Sequence, residues 1–183
     1  MRARRTKDDW TAVALAALAE GGVAAVAVEP LAARLGATKG SAYWHFPNRE
    51  ALLRATLERW EREHTEAVID LVEAEAAPRD RLRRLFGFVL EDARSSAVEL
   101  ALLAAKDDPA VAPVLLRVTD RRVDYLVELF EAIGFPADDA RHRAVLAYSV
   151  YLGQAQLMTA APHVVRARRA LLEHTLAAVT ARA

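Results

Sequence analysis

The sequence contains no cysteine, and it has only seven glycines and seven prolines in 183 residues. The lack of cysteine excludes a disulfide scaffold, a thiolate nucleophile and a thiolate metal site, and it fits a reducing compartment. No apolar run reaches the roughly 18 residues of a membrane span, and the basic N-terminus leads into no apolar signal core. We therefore expect a cytoplasmic protein that does not enter a membrane.

The chain also lacks net charge, because 25 Lys and Arg balance 25 Asp and Glu. A general nucleic-acid coat protein would carry an excess of positive charge, so this class is disfavoured. The charges are nevertheless unevenly spread, since Arg2, Arg4, Arg5 and Lys7 all precede the first acidic residue. This basic segment, the N-terminal arm, is either a solvated tail or a clamp for a polyanion.

Roughly a fifth of the chain is alanine, the residue that most favours helices. No segment alternates polar and apolar residues with β-branched content, so the sequence predicts an all-α protein. Helical apolar periodicity and the breakers between the periodic segments place the helices. The predicted helices run from Trp10 to Gly21, from Pro30 to Gly36, from Thr38 to Phe46 and from Asn48 to Pro78, then as one helix or a pair over 80–105, and over 113–133, 138–159 and 163–181.

The second and third predicted helices, joined by a short turn at Gly36, form a helix-turn-helix. The third helix buries Ala42 and Phe46 at i and i+4 and leaves a basic, hydroxyl-bearing and aromatic face outward, which is costly to expose without a partner. A DNA duplex offers the matching surface of phosphates and base edges. We expect Lys39, Tyr43 and His45 to contact phosphates, Ser41 and Trp44 to contact base edges, and Gly40 to let the backbone approach the groove.

These residues resemble the tetracycline-repressor-like (TetR) family of transcriptional regulators. The resemblance is carried by Gly22, Leu31-Ala32, Gly36, Thr38-Lys39-Gly40-Ser41, Tyr43-Trp44-His45-Phe46, Pro47-Asn48-Arg49-Glu50 and Leu52-Leu53. It implies an N-terminal three-helix helix-turn-helix DNA-binding domain over 1–48, a connecting helix over about 49–76, and a C-terminal helical domain over 77–183 for effector binding and dimerisation. The predicted DNA contacts are Arg4, Arg5, Lys7, Thr38, Lys39, Gly40, Ser41, Tyr43, Trp44, His45 and Arg49.

The C-terminal helices supply candidate residues for effector binding and for dimerisation. A small apolar effector is expected to contact Phe86, Phe88, Tyr125, Tyr148, Tyr151 and Gln154. A four-helix interface of a homodimer is expected to contain Ala147, Ala155, Leu172, Leu176 and Val179. No metal or cofactor is expected, because the acids Asp138 and Asp139 beside His142 fit the first turn of a helix without a metal.

The predicted function is sequence-specific regulation of transcription, as a repressor that a small apolar effector releases from a pseudo-palindromic operator. One alternative is a regulator of the same fold that responds to no small molecule. A helical-bundle enzyme is a second alternative, but it would need a cluster of acids, bases or metal ligands that the sequence does not present.

Overall fold

The computed structural model describes residues 5–91 and 93–182, and in these ranges it contains helices and no strand. The predicted all-α class is therefore confirmed. The predicted DNA contact Arg4 lies outside the described residues. The α-helices are α1 Lys7–Gly21, α2 Val28–Leu35, α3 Lys39–His45, α4 Arg49–Glu61, α5 Ala67–Glu73, α6 Pro78–Glu91, α7 Ala93–Ala104, α8 Ala112–Ala132, α9 Ala137–Ala160 and α10 Arg168–Thr180.

The first helix begins three residues before the predicted start at Trp10. Thr6 is its N-cap: the Thr6 hydroxyl accepts from the backbone N–H of Asp9, and the Asp9 carboxylate accepts from the backbone N–H of Thr6. This reciprocal capping box satisfies two N–H groups that a helix start leaves without partners. The Thr6 backbone N–H, followed by the Thr6 side chain, lowers the pKa of Asp9, because hydrogen bonding to the carboxylate favours its charged form.

The predicted helix-turn-helix is confirmed as α2, a short turn and α3. Pro30 lies in the first turn of α2, where its missing N–H costs nothing. Gly36 ends α2 in the left-handed conformation (φ 58°, ψ 34°), which glycine adopts without strain. Thr38 is the N-cap of α3, since its hydroxyl accepts from the backbone N–H of Ser41 at 3.3 Å.

The long helix predicted after Asn48 is interrupted by a π-helical turn, Arg62–Glu66. The apolar stripe of α4, through Leu53, Leu57 and Trp60, predicts burial at 67, 71 and 74, yet the structure exposes all three positions. The buried residues are instead Thr65, Val68, Ile69 and Val72, as the π turn inserts one residue and shifts the stripe by one position. The prediction of an uninterrupted helix is therefore wrong.

The later breakers are confirmed except at the last helix. The 80–105 segment is a pair, α6 and α7, and α8 and α9 begin and end within a residue of their predicted bounds. The last helix was expected from residue 163, but α10 begins at Arg168. Ala167 precedes it in the left-handed region (φ 50°), so His163 lies before the helix rather than on it.

The described chain folds into two compact units. The first, called the head, runs to His64 and also includes Ala97–Leu116; the second, called the body, combines Thr65–Ser96 with the chain from Arg117 onward. In the head, α1 packs against α2 and α4. In the body, α6 packs against α5, α9 and α10. The predicted division into 1–48, about 49–76 and 77–183 concerns function and stays a prediction.

Each unit has its own apolar interior. In the head, Trp10, Leu18, Leu53 and Trp60 are among the fully buried side chains. The core of the body comprises Val68, Ile69, Val72, Leu82, Phe86, Val123, Tyr125, Leu126, Leu129, Phe130, Ile133, Phe135, Ala140, Ala144, Ala147, Leu176 and Val179. No helix in the described part of the chain is long and apolar enough to cross a membrane.

Candidate DNA interface and effector site

Helix α3 carries an exposed surface of aromatic and polar side chains. Its inner residues Ala42 and Phe46 are 0% and 3% exposed, whereas Tyr43 and Trp44 are 54% and 66% exposed. A tryptophan and a tyrosine side by side in solvent are typical of a surface that meets a partner. The recognition face, as it is called below, consists of Thr38, Lys39, Gly40, Ser41, Tyr43, Trp44 and His45, all of them exposed or half-buried.

Gly40 lies on this face without an internal reason for being glycine. A Cβ atom built at Gly40 would meet no atom closer than the Thr38 hydroxyl oxygen at 3.8 Å, which is an ordinary van der Waals contact. Glycine inside a helix lowers stability relative to alanine. Internal packing therefore does not require glycine at this position, and a bare backbone here fits the predicted approach of α3 to the wall of a DNA groove.

Three residues predicted to contact DNA are engaged within the head. The Arg5 guanidinium donates from Nε to the backbone oxygen of Leu35 at 3.0 Å, and His45 Nε2 lies 2.8 Å from the backbone oxygen of Arg5. A carbonyl oxygen only accepts, so His45 Nε2 carries a proton in this contact. The Lys7 ammonium lies 5.8 Å from the centre of the Phe46 ring. These contacts hold the start of α1 against both helices of the helix-turn-helix.

Two further predicted contacts also have partners inside the head. Arg49 donates from Nε to the Val26 oxygen at 2.7 Å and from Nη2 to the Val23 oxygen at 2.6 Å, so it fastens α4 to the turn before α2. A phosphate contact by Arg49 would fall to its remaining nitrogen, Nη1. Lys39 forms an ion pair with Glu29 on α2. Sequence reasoning missed this acid, because nothing in the local pattern joins positions 29 and 39.

The comparisons with known proteins agree with this geometry. A family model described as "Bacterial regulatory proteins, tetR family" matches residues 11–56, which hold α1, α2, α3 and the first half of α4. Residues 11–56 are thus similar to the regulators of the TetR family. The family prediction is thus confirmed, and with it the function of a DNA-binding transcriptional regulator. No curated protein matches the sequence significantly.

Solved structures share the fold of this chain over nearly its whole length. A TetR transcriptional regulator from Legionella pneumophila is 17% identical, with a TM-score of 0.81 over 96% of this chain and 97% of that one. A transcriptional regulator from Rhodococcus sp. Rha1 is 22% identical, with a TM-score of 0.79 over 96% and 94% of the two chains. A third, from Saccharomonospora viridis, was crystallised in complex with choline and is 19% identical, with a TM-score of 0.76 over 94% and 92%.

Five of the six predicted effector residues are buried or half-buried. Phe86 and Tyr125 belong to the core of the body, and Tyr148 packs against it. Tyr148 and Tyr151 lie with ring centres 5.8 Å apart, and Tyr151 and Gln154 are each 8% exposed. Phe88 is 38% exposed, because two residues along a helix from Phe86 it points to the other side. Contact of these six residues with an effector stays a prediction.

Two polar groups in the body distinguish it from a purely apolar core. The Tyr125 hydroxyl donates to the Glu73 carboxylate at 2.8 Å, and burial together with that carboxylate raises the pKa of Tyr125. Gln154 has its side-chain nitrogen Nε2 buried without a hydrogen-bond partner in the described part of the chain. A buried donor without a partner is costly, so this amide marks a place where an acceptor from outside the chain would be stabilising.

Four of the five predicted dimer residues are buried within the chain. Ala147, Leu176 and Val179 belong to the core of the body, Ala155 is 2% exposed, and Leu172 is half-buried and packs against the core. The single chain thus covers much of the apolar stripes that predicted an interface, and the role of these five residues in a dimer stays a prediction. The exposed apolar residues of α9 are Val145, Leu146 and Leu157, at 49%, 51% and 43% exposure.

Proposed function

We propose that this regulator is a repressor, which binds a pseudo-palindromic operator as a homodimer and leaves it when a small apolar effector binds the body. The observation that carries the DNA-binding part is the exposure of Tyr43 and Trp44 on α3, beside the buried Ala42 and Phe46. A recognition helix of this kind enters the major groove, and two of them occupy successive grooves when two chains pair. Occupation of the operator then blocks transcription.

Within the recognition face we assign Lys39 and Tyr43 to phosphates and Ser41 and Trp44 to base edges. The Thr38 hydroxyl accepts from the Ser41 N–H, and because a hydroxyl can donate at the same time, Thr38 can also serve a phosphate. Phosphate contacts position a protein on DNA and base contacts select the sequence. Lys39 and Trp44 should therefore respond differently to mutation.

The test is selection of an operator from a pool of random duplexes, followed by affinity measurements on operator variants. Trp44→Ala should cost about 1–3 kcal/mol at particular base positions, whereas Lys39→Ala should weaken binding to the operator and its single-base variants about equally, because a phosphate contact does not depend on the base. Enrichment of a palindromic sequence supports the proposal. Failure to enrich any sequence contradicts it, and equal losses on operator and random DNA for Trp44→Ala contradict its assignment to a base edge.

For the homodimer we propose the outward faces of α9 and α10 in place of the inward faces that the sequence predicted. Leu146 and Leu157 are about three turns apart and lie on one side of α9, and Val145 lies beside Leu146 on the neighbouring side. The outward positions of α10 include Ala170, Ala177 and Ala178, together with Arg169, Glu173 and His174. Exposed apolar residues next to a helix with small exposed residues suit a second copy of the same pair, since a two-fold axis brings identical patches together.

For the effector we propose a site in the body near Tyr148, Tyr151 and Gln154. The unpartnered Gln154 amide favours a ligand with a hydrogen-bond acceptor, and the two tyrosine rings favour an apolar ligand body. The choline complex of the Saccharomonospora viridis regulator supports a small-molecule site in a protein of this fold. Compounds found by thermal shift can be titrated by calorimetry into the free and the operator-bound protein. Linkage requires any inducer to bind the operator complex more weakly.

The remaining parts of the proposal concern enzymatic activity, cofactors and location in the cell. Its relatives are named transcriptional regulators, which supports a protein without enzymatic activity that needs no cofactor and works in the cytoplasm. A regulator without an effector is the second candidate. It would be favoured if every compound that stabilises the protein bound the free and the operator-bound forms with equal affinity, because such a ligand shifts no equilibrium.

A further inference from the structure

Glu29 and Lys39 form an ion pair across the helix-turn-helix. Lys39 is the first residue of α3, and Glu29 lies in the first turn of α2. Both side chains are largely in solvent, at 56% exposure for Lys39 and 69% for Glu29. Exposed pairs of this kind contribute little to stability, so the ammonium can exchange its partner readily. Lys39 is therefore held by Glu29 in the free protein, but it is not locked there.

We infer that Glu29 is a specificity-determining residue, which withholds the Lys39 ammonium from DNA of the wrong sequence. This inference rests on the proposed contact between Lys39 and a phosphate. Affinity for random DNA comes almost entirely from cations that replace condensed counterions on phosphates. A cation that stays paired with a protein carboxylate displaces no counterion and adds no affinity. Glu29 therefore lowers the affinity for every sequence on which α3 does not fully enter the groove.

The difference between operator and random DNA arises from the distance between the Lys39 ammonium and the nearest phosphate. In a loose complex the nearest phosphate lies farther from the Lys39 ammonium than the Glu29 carboxylate, with which it is in contact, and attraction between charges falls with separation. When Ser41 and Trp44 meet their base edges, α3 enters the groove and a phosphate comes within contact distance. Lys39 then exchanges Glu29 for the phosphate, and Glu29 is left in solvent.

Glu29 also has a structural role that the experiment must separate from this one. The N-cap of α2 is Ala27, which has no side-chain acceptor, so an acid in the first turn stabilises the helix dipole. Glu50 is a matched control: it lies in the first turn of α4, and it pairs with Arg54 at 3.2 Å with similar exposures of 62% and 58%. Glu29→Gln and Glu50→Gln remove the same charge from equivalent helix positions, but Glu50 does not hold a residue of the recognition face.

The experiment measures affinity against salt concentration for the wild type and both variants, on random duplexes and on the selected operator. Glu29→Gln should raise the affinity for random duplexes about two- to fivefold, the range expected for release of an exposed pair. It should also steepen the plot of log affinity against log salt by about 0.9, the value of one added phosphate contact. On the operator, where Lys39 has already exchanged Glu29 for a phosphate, Glu29→Gln should give a smaller gain in affinity and an unchanged slope. Glu50→Gln should leave the affinity for both DNAs unchanged.

Two results would overturn the inference. The first is a Glu29→Gln change in affinity for random duplexes that is no larger than the change caused by Glu50→Gln. A Glu29→Gln change in affinity that is equal on operator and random DNA counts as the same result. The second is persistence of the full effect in a Lys39→Gln background, because Glu29 would then repel phosphates directly rather than act through Lys39. Failure of the proposed function looks different, since no operator would be enriched by the wild type at all.

Discussion

His45 Nε2 lies 2.8 Å from the backbone oxygen of Arg5, so the last residue of α3 holds the residue before the N-cap of α1. Loss of this hydrogen bond in His45→Ala should lower the free energy of unfolding by about 0.5–1.5 kcal/mol. The salt dependence of DNA binding should stay as in the wild type, because the imidazole is engaged by a carbonyl rather than by a phosphate. Denaturant unfolding and a salt titration measure both quantities. A slope reduced by about 0.9 would instead assign His45 to a phosphate.

Gly40→Ala should change stability and DNA affinity in opposite directions. Alanine should raise the free energy of unfolding by about 0.5–1 kcal/mol, since the helix interior has room for the methyl group. The same methyl group should weaken operator binding if the backbone at residue 40 lies against the groove wall. Gly87→Ala in α6 is the control, because a Cβ at Gly87 meets nothing within 4 Å and the substitution should leave DNA affinity unchanged. If Gly40→Ala leaves the operator affinity unaltered, the backbone at residue 40 does not lie against the groove wall.

The double variant Leu146→Glu with Leu157→Glu should be a folded monomer that has lost operator binding. Both side chains are about half exposed, so charge at these positions disrupts an interface rather than the core of the body. Sedimentation velocity measures the oligomeric state and circular dichroism the fold. Leu116→Glu, at a residue 64% exposed in the head, should leave the association state unchanged. A dimer that survives the double substitution would place the interface elsewhere.

Tyr125 should make the protein less stable in alkaline solution. Burial and Glu73 raise its pKa above the ordinary value of 10.0, so the unfolded chain releases this proton before the folded chain does. The unfolded state is therefore favoured as pH rises above about 10. Tyr125→Phe lacks this proton, and its stability should fall less steeply over the same range. Thermal unfolding of both proteins at a series of pH values measures the difference, and parallel curves would contradict it.

Much of the fold could be predicted from the sequence because the signals are local. Pro30, Gly36 and Thr38 each act on the turn in which they lie, and together they bound α2 and α3. The start of α1 was placed at Trp10, three residues late, although Thr6 and Asp9 have the spacing of a capping box. The π turn after α4 has no such signal. The positions predicted to be buried beyond Trp60 are therefore one residue away from those that the structure buries.

The partners of the site residues could not be predicted in the same way. The recognition face follows from the spacing of Ala42 and Phe46 on one short helix. The contact between His45 and Arg5, by contrast, joins residues 40 positions apart, and it depends on how α1 lies on the helix-turn-helix. The dimer residues pose another difficulty: an apolar stripe such as that of Leu176 must be covered, but its pattern does not say whether the same chain or a second copy covers it.

The π turn also sets a rule for exchanging parts between regulators of this fold. Deleting one residue within Arg62–Glu66 would restore the regular helical period, and the apolar stripe of α4 would then continue at residues 67, 71 and 74. The core of the body is instead built on Val68, Ile69 and Val72. The extra residue therefore lets α4 and α5 each use the face that the sequence of that helix makes apolar. A chimera should keep one complete π turn, Arg62–Glu66, from a single parent.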